Sequence, residues 1–141
     1  MQSGAVHDAQ ALGSILATLK KREGIDCAHA ALPEEGAFVF SMHVPLGSSH
    51  EHRMNMVEFE LENRVPLPPA QTVYDFDTVI SHDASDEEIA VTVFPRTIAE
   101  GYVEAFARAG IELLSLEIEA SSIARAVSGR ENDPVTLLFD C

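Results

Sequence analysis

Basic residues, cysteines and long apolar runs are what this chain has least of. Nine lysines and arginines stand against 23 aspartates and glutamates, a formal net charge of −14. That surface is a poor match for the phosphates of nucleic acid and for anionic lipid. A basic protein segment is the better electrostatic partner; the plainer reading is that the acids keep the surface solvated. Two cysteines, Cys27 and Cys141, are too few and too far apart for a disulfide framework and read as reduced thiols. No stretch approaches the roughly 18 consecutive apolar residues of a membrane span, and no charged-then-apolar signal peptide opens the chain. The expectation is a soluble, cytoplasmic chain that meets a membrane only through a partner.

What is present is an ordinary globular mixture. Of 141 residues, 46% are hydrophobic and 23% charged, enough to bury a core in one domain of two lobes. The organising stretch is Glu60-Leu61-Glu62-Asn63-Arg64-Val65-Pro66-Leu67-Pro68. It closes a helix in which Met54, Val57, Leu61 and Val65 share a face at spacings of three and four. Pro66 and Pro68 stop that helix, because proline lacks the N–H and pushes its predecessor out of helical geometry. Met56 and Phe59 fall on the opposite face, so the helix is either sandwiched or carries a partner.

The remaining elements follow from periodicity and punctuation. A helix is predicted over 6–21, with Leu12, Ile15, Leu16 and Leu19 on one face, Lys20-Lys21-Arg22 in the last turn and Gly24 ending it. A short strand over 25–31 and a turn over 32–36 lead to a strand over 37–44. Its apolar side is Phe38, Phe40, Met42 and Val44. Ser49 is placed to cap the central helix. Strands over 73–80 and 88–94 flank an acidic linker, 81–87, read as a long hairpin loop. A helix beginning at Pro95 and Thr97 turns Ile98, Tyr102, Ala105, Phe106 and Ala109 inward, and Gly110 closes it. A strand over 111–118 sets Ile111, Leu113, Ser115 and Glu117 on one side and Leu114, Leu116 and Ile118 on the other. A helix over 121–127, a turn-rich loop over 128–134 and an apolar strand over 135–139 complete an α-β-β-α-β-β-α-β-α-β order. The fold class is α+β with a mixed or antiparallel sheet. The apolar last strand belongs in a larger sheet, which suggests an excised piece of a longer protein.

Catalytic and metal signals are weak. His50-Glu51-His52 does not place both imidazoles on one helix face, and no third ligand is spaced nearby. Asp75, Asp77, Asp83 and Asp86 lack the glycine and ligand spacing of a calcium loop and read as an acidic edge that discourages strand pairing. No phosphate loop, nucleophile elbow or paired-cysteine motif occurs. Ser121 and Ser122 read as helix caps, and no nucleophile–base pair is evident.

Three stretches carry a resemblance. Phe59-Glu60-Leu61-Glu62-Asn63-Arg64-Val65-Pro66-Leu67-Pro68 is followed by Tyr74-Asp75-Phe76. Ala90-Val91-Thr92-Val93-Phe94-Pro95-Arg96 is followed by Tyr102-Val103-Glu104-Ala105-Phe106-Ala107-Arg108-Ala109-Gly110-Ile111. Leu114-Ser115-Leu116-Glu117-Ile118-Glu119 leads to Ser122-Ile123-Ala124-Arg125-Ala126. In order and spacing, over residues 30–127, they resemble the PilM family, actin-like proteins of type IV pilus assembly related to the division protein FtsA. The sequence departs from the family's pattern at Phe59, where tryptophan is usual, at Arg64, where an aromatic is usual, and at Ala120, where proline is common.

The resemblance implies that residues 37–118 form a small inserted subdomain and that 5–31 and 119–140 are parts of a larger actin-like lobe. It implies an adaptor that holds a short cytoplasmic segment of an inner-membrane pilus or secretion protein in a groove beside the subdomain. Met56, Phe59, Arg64 and Leu67 are the candidate partner-binding residues; for Phe59 the rival reading is packing against the neighbouring lobe. The first phosphate loop of the family is absent, and Asp140 stands where the second would start. No catalysis and no cofactor are therefore expected of this chain, with ATP left to an intact protein. The alternatives are an FtsA-like nucleotide-binding, polymerising protein and the cytoplasmic domain of a type II secretion inner-membrane component. A stand-alone enzyme of unrelated class is the least supported reading.

Overall fold

The structure, a computed structural model, describes residues 4–79 and 86–127. Its elements are α1 (Ala9–Glu23), β1 (Cys27–Leu32), β2 (Phe38–Pro45), α2 (His50–Arg64), β3 (Thr72–Val79), β4 (Asp86–Pro95), α3 (Arg96–Ala109), β5 (Glu112–Ile118) and α4 (Glu119–Val127). The first nine elements of the expected order are found. The loop over 128–134, the strand over 135–139, Asp140 and Cys141 lie outside the described residues.

The α+β class holds, with the strands in two sheets. β2, β4 and β3 form an antiparallel sheet in that order, and β1 pairs with β5 in parallel. Parallel neighbours need a crossover, and α3 supplies it. The strand-helix-strand-strand unit β2-α2-β3-β4 is inserted into the connection before α3. Packing therefore divides the 37–118 span: α3 and β5 pack with α1 and β1, while Phe38–Pro95 forms its own layer pair.

That layer pair is α2 on one face of the three-stranded sheet. Val57, Leu61 and Val65 of the helix segment meet Met42, Val44, Ile89, Val91 and Val93 of the sheet. The period-two pattern of β2 puts Met42 and Val44 inside, with Phe38 and Phe40 packed at the edge of the cluster. Ser49 Oγ accepts the His52 N–H, and Val65 turns extended ahead of Pro66, so α2 starts and stops where its caps and prolines dictate.

The other unit sets α1 and α3 on the parallel pair. Phe106, Ala109 and Ile111 form its centre, with Leu16, Ala17 and Ile25 against them. Gly13 lets the two helices close up: a Cβ there would lie 3.0 Å from Arg108 Cβ and 3.1 Å from the Ala105 carbonyl oxygen. Gly110 ends α3 at φ +67°, and its N–H and that of Ile111 bond to the Ala107 and Phe106 carbonyls.

Several expectations are corrected. α1 begins at Ala9 rather than residue 6, because Asp8 Oδ1 accepts the Ala11 N–H and caps it. Ile15 is 66% exposed; the buried stripe runs through Gly13 instead. In β5 strict alternation fails, because the register shifts opposite Ala28/His29, so Leu114 is skipped and exposed while Leu113, Leu116 and Ile118 face the core. Asp86 and Glu87 belong to β4 rather than to the hairpin loop. α4 starts at Glu119, so Ser121 and Ser122 lie inside it and cap nothing.

Candidate functional site

The two packing units meet along a cleft. A third core cluster, Leu32, Phe94, Ile98 and Ile118, joins them beneath it, taking residues from β1, β4, α3 and β5. Arg96 fixes the relation from one end: its Nε and Nη2 donate to the carbonyls of Ala70 and Thr72 at 3.2 and 2.9 Å. The first residue of α3 thus anchors the start of β3, and Thr72 is itself buried.

The cleft encloses about 260 Å³. Leu32, Val73, Phe94, Leu116 and Ile118 give it an apolar floor, and Asp75, Asp77 and Glu117 stand on its walls with Arg125 of α4. β3 is an edge strand of its sheet, so one wall is a strand that pairs only with β4 among the described residues. Such a surface offers a socket for an apolar side chain, carboxylates for a neighbouring cation, and a strand edge for an extended backbone.

A polar chain runs onto that rim. His29 Nδ1 lies 2.7 Å from Ser115 Oγ, which donates to Glu117 Oε1 at 3.4 Å, and Arg125 Nη2 reaches the same oxygen at 2.6 Å. The Arg125 hydrogen bond holds the Glu117 carboxyl below the usual carboxylate range, with Ser115 and the charge on His29 contributing less. This His–Ser contact joins residues 86 apart in sequence, so no local pattern reveals it. The acid here meets the serine rather than the imidazole, so among the described residues no carboxylate is hydrogen-bonded to the ring in the manner of a catalytic triad.

The four sequence-derived partner residues are not brought together. Met56 packs against the core beneath α2 rather than outside it, and Leu67 is half-buried against the same cluster. Arg64 is spread over the Phe40 ring, 5.1 Å from its centroid, and its Nε donates to Glu60 at 2.8 Å. Phe59 alone presents an apolar surface, 71% exposed, in a shallow depression with Asn55, Glu58, Glu62, Pro69 and Ala70. Glu58 links the two regions: it accepts the Tyr74 hydroxyl at 2.9 Å, and Tyr74 also borders the cleft. Burial first, then Glu58's hydrogen bond and charge, push the Tyr74 pKa up to about 12.

The cleft residues come from six elements scattered between positions 32 and 125, so no local motif could have announced them. Among the described residues no three His, Cys, Asp or Glu side chains are grouped to hold a metal ion. His50 stacks on Phe76 with centroids 5.3 Å apart. No helix among the described residues is long and apolar enough to cross a membrane.

No family model matches the sequence, and no curated protein does. The fold does have solved counterparts. A chain of a PilM-PilN type IV pilus biogenesis complex superposes with a TM-score of 0.77 at 19% identity, over 89% of this chain and 38% of that one. The cytoplasmic domain of EpsL, an inner-membrane component of the type II secretion system of Vibrio cholerae, gives 0.59 at 14% identity, over 84% of this chain and 46% of that one. The chain thus spans less than half the length of either and shares their fold.

Proposed function

We propose that this chain is part of a cytoplasmic adaptor of type IV pilus assembly, and that it holds a short cytoplasmic segment of an inner-membrane partner in the cleft between its two units. The observation that carries the reading is the fold shared over 89% of the chain with a chain of a PilM-PilN complex. The cleft supplies what such a segment needs. Its apolar floor takes one or two aliphatic side chains, and Asp75, Asp77 and Glu117 favour a basic residue beside them. In this reading residues 37–118 carry the insertion that shapes the cleft. The chain works by binding rather than catalysis, and any ATP belongs to an intact protein.

The second structure supports a related reading, the cytoplasmic domain of a type II secretion component. In the first reading the chain binds a separate membrane protein, and in the second it is the cytoplasmic part of one.

Titration with N-terminal cytoplasmic peptides from pilus and type II secretion membrane proteins, followed by backbone amide NMR, tests this. Shifts over 73–77 and 116–118 with a pilus peptide support the first reading, and the same shifts with only a secretion peptide support the second. Saturating amounts of both that leave these amides unmoved in the intact protein overturn the adaptor assignment.

A further inference from the structure

We propose that the face of α2 around Phe59 is a second docking surface, separate from the cleft, which takes a lysine or arginine side chain of a partner protein. The proposal stands on that face alone and does not depend on what binds the cleft. Met54, Met56, Val57 and Leu61 of α2 are all at least partly buried, whereas Phe59 is 71% exposed. A single exposed aromatic is ordinary, but this one lies in a depression rather than on a ridge. Asn55, Glu58 and Glu62 border it from the helix, and Pro69 and Ala70 from the turn that follows. The turn is held, because Arg96 Nε binds the Ala70 carbonyl and the Gln71 N–H bonds back to the Pro68 carbonyl.

Charge decides the occupant. Glu58 and Glu62 are exposed, one turn apart, and neither takes part in an ion pair among the described residues. Like charges at that spacing repel along a helix. A cation placed between them and over the ring face relieves the repulsion and gains from the ring quadrupole as well. A purely apolar partner would strip water from both carboxylates without replacing it. A second copy of the chain, at net −14, brings mostly the wrong sign. The Tyr74 hydroxyl bond at 2.9 Å restrains the Glu58 carboxylate, so one acid of the site is held before anything binds.

The test uses the protein with 4-fluorophenylalanine in place of phenylalanine, the Phe59 signal being assigned through Phe59→Leu. Two probes are added, acetyl-Leu-Arg-Leu-amide and acetyl-Leu-Glu-Leu-amide. The Phe59 fluorine signal is expected to move with the arginine peptide and not with the glutamate peptide. Glu62→Lys, a change on the exposed side of α2, is expected to abolish the movement while leaving the circular dichroism unchanged. Phe59→Leu removes the fluorine reporter, so its binding is followed through the backbone amides of Ala70 and Gln71 and is expected to weaken about two- to fivefold, the worth of an exposed cation–π contact. Movement with both peptides, or movement that survives Glu62→Lys, overturns the proposal in favour of a generic apolar contact. No movement up to tens of millimolar arginine peptide overturns it outright.

Discussion

Arg53 is the side chain whose removal tells most about how the inserted unit is held. From the first turn of α2 it reaches across one end of the three-stranded sheet. Its Nε donates to the Ser48 carbonyl at 3.0 Å and its Nη1 to Thr78 Oγ1 at 3.3 Å, while Nη2 stands 2.5 Å from Glu87 Oε2. The two charged side chains are only 19% and 18% exposed. Glu87 Oε2 is sealed from solvent and no regular hydrogen bond reaches it among the described residues, so the guanidinium charge is what offsets its burial. Arg53→Met keeps the stem and removes the charge. Breaking a fully buried pair costs about 3–5 kcal/mol and an exposed one about 0–1; for this mostly buried pair about 2–3 kcal/mol is expected. Glu87→Gln leaves no unpaired buried carboxylate and keeps the bonds of Arg53 to Ser48 and Thr78, so about 1 kcal/mol is expected. The double variant should fall short of the sum by about 1 kcal/mol, because the carboxylate orphaned in the first variant is absent. With no tryptophan in the chain, urea unfolding followed by far-ultraviolet circular dichroism is the assay, the denaturant slope being held constant between variants. Additivity within about 0.3–0.5 kcal/mol, or a larger loss from Glu87→Gln than from Arg53→Met, refutes the reasoning.

Three further outcomes rest on the same packing. Leu61→Ala removes a side chain with no exposed surface from the centre of the core under α2 and should cost about 3–5 kcal/mol in the same unfolding assay, whereas Phe59→Ala should stay within about 0.5. Gly13→Val drives a branched side chain into Arg108 and the Ala105 carbonyl and should cost about 1–3 kcal/mol by overpacking, read as a lower melting temperature. Tyr74 titrates near 12 when folded against 10.0 in the unfolded chain; the unfolded state ionises first, so its contribution is fully present below pH 10 and is lost as pH rises through 12. Tyr74→Phe should flatten that alkaline loss, and ultraviolet titration of phenolate at 295 nm (a wavelength on the order of the phenolate band, set by the chromophore rather than by the protein) checks it.

Much of the fold was legible because it is written in local chemistry. The stripe Val57-Leu61-Val65, the alternation of Phe38, Phe40, Met42 and Val44, the Ser49 cap and the Gly24 and Gly110 stops all act within one or two turns of chain. Where local pattern failed, a distant neighbour had decided the outcome. Ile15 fits the apolar stripe of α1 by spacing, yet the close approach of α3 is centred on Gly13, which leaves Ile15 in solvent. Met56 sits on the wrong face by spacing, yet its long unbranched side chain packs against the core from there. Leu114 alternates correctly in sequence, but a register shift against β1 skips it.

Periodicity, proline, glycine and charge need no partner to act, so the order of the described elements, the α+β class, both ends of α2, the stops of α1 and α3 and the acidic composition were readable from the chain itself. The tertiary structure alone decided that β1 and β5 pair in parallel across the inserted unit, that Arg53 meets Glu87, and that Val73, Phe94, Leu116 and Ile118 converge on one cleft. Each of these joins residues far apart in the chain. Such contacts come from how whole layers pack to bury their apolar faces, and no short stretch of sequence contains that information.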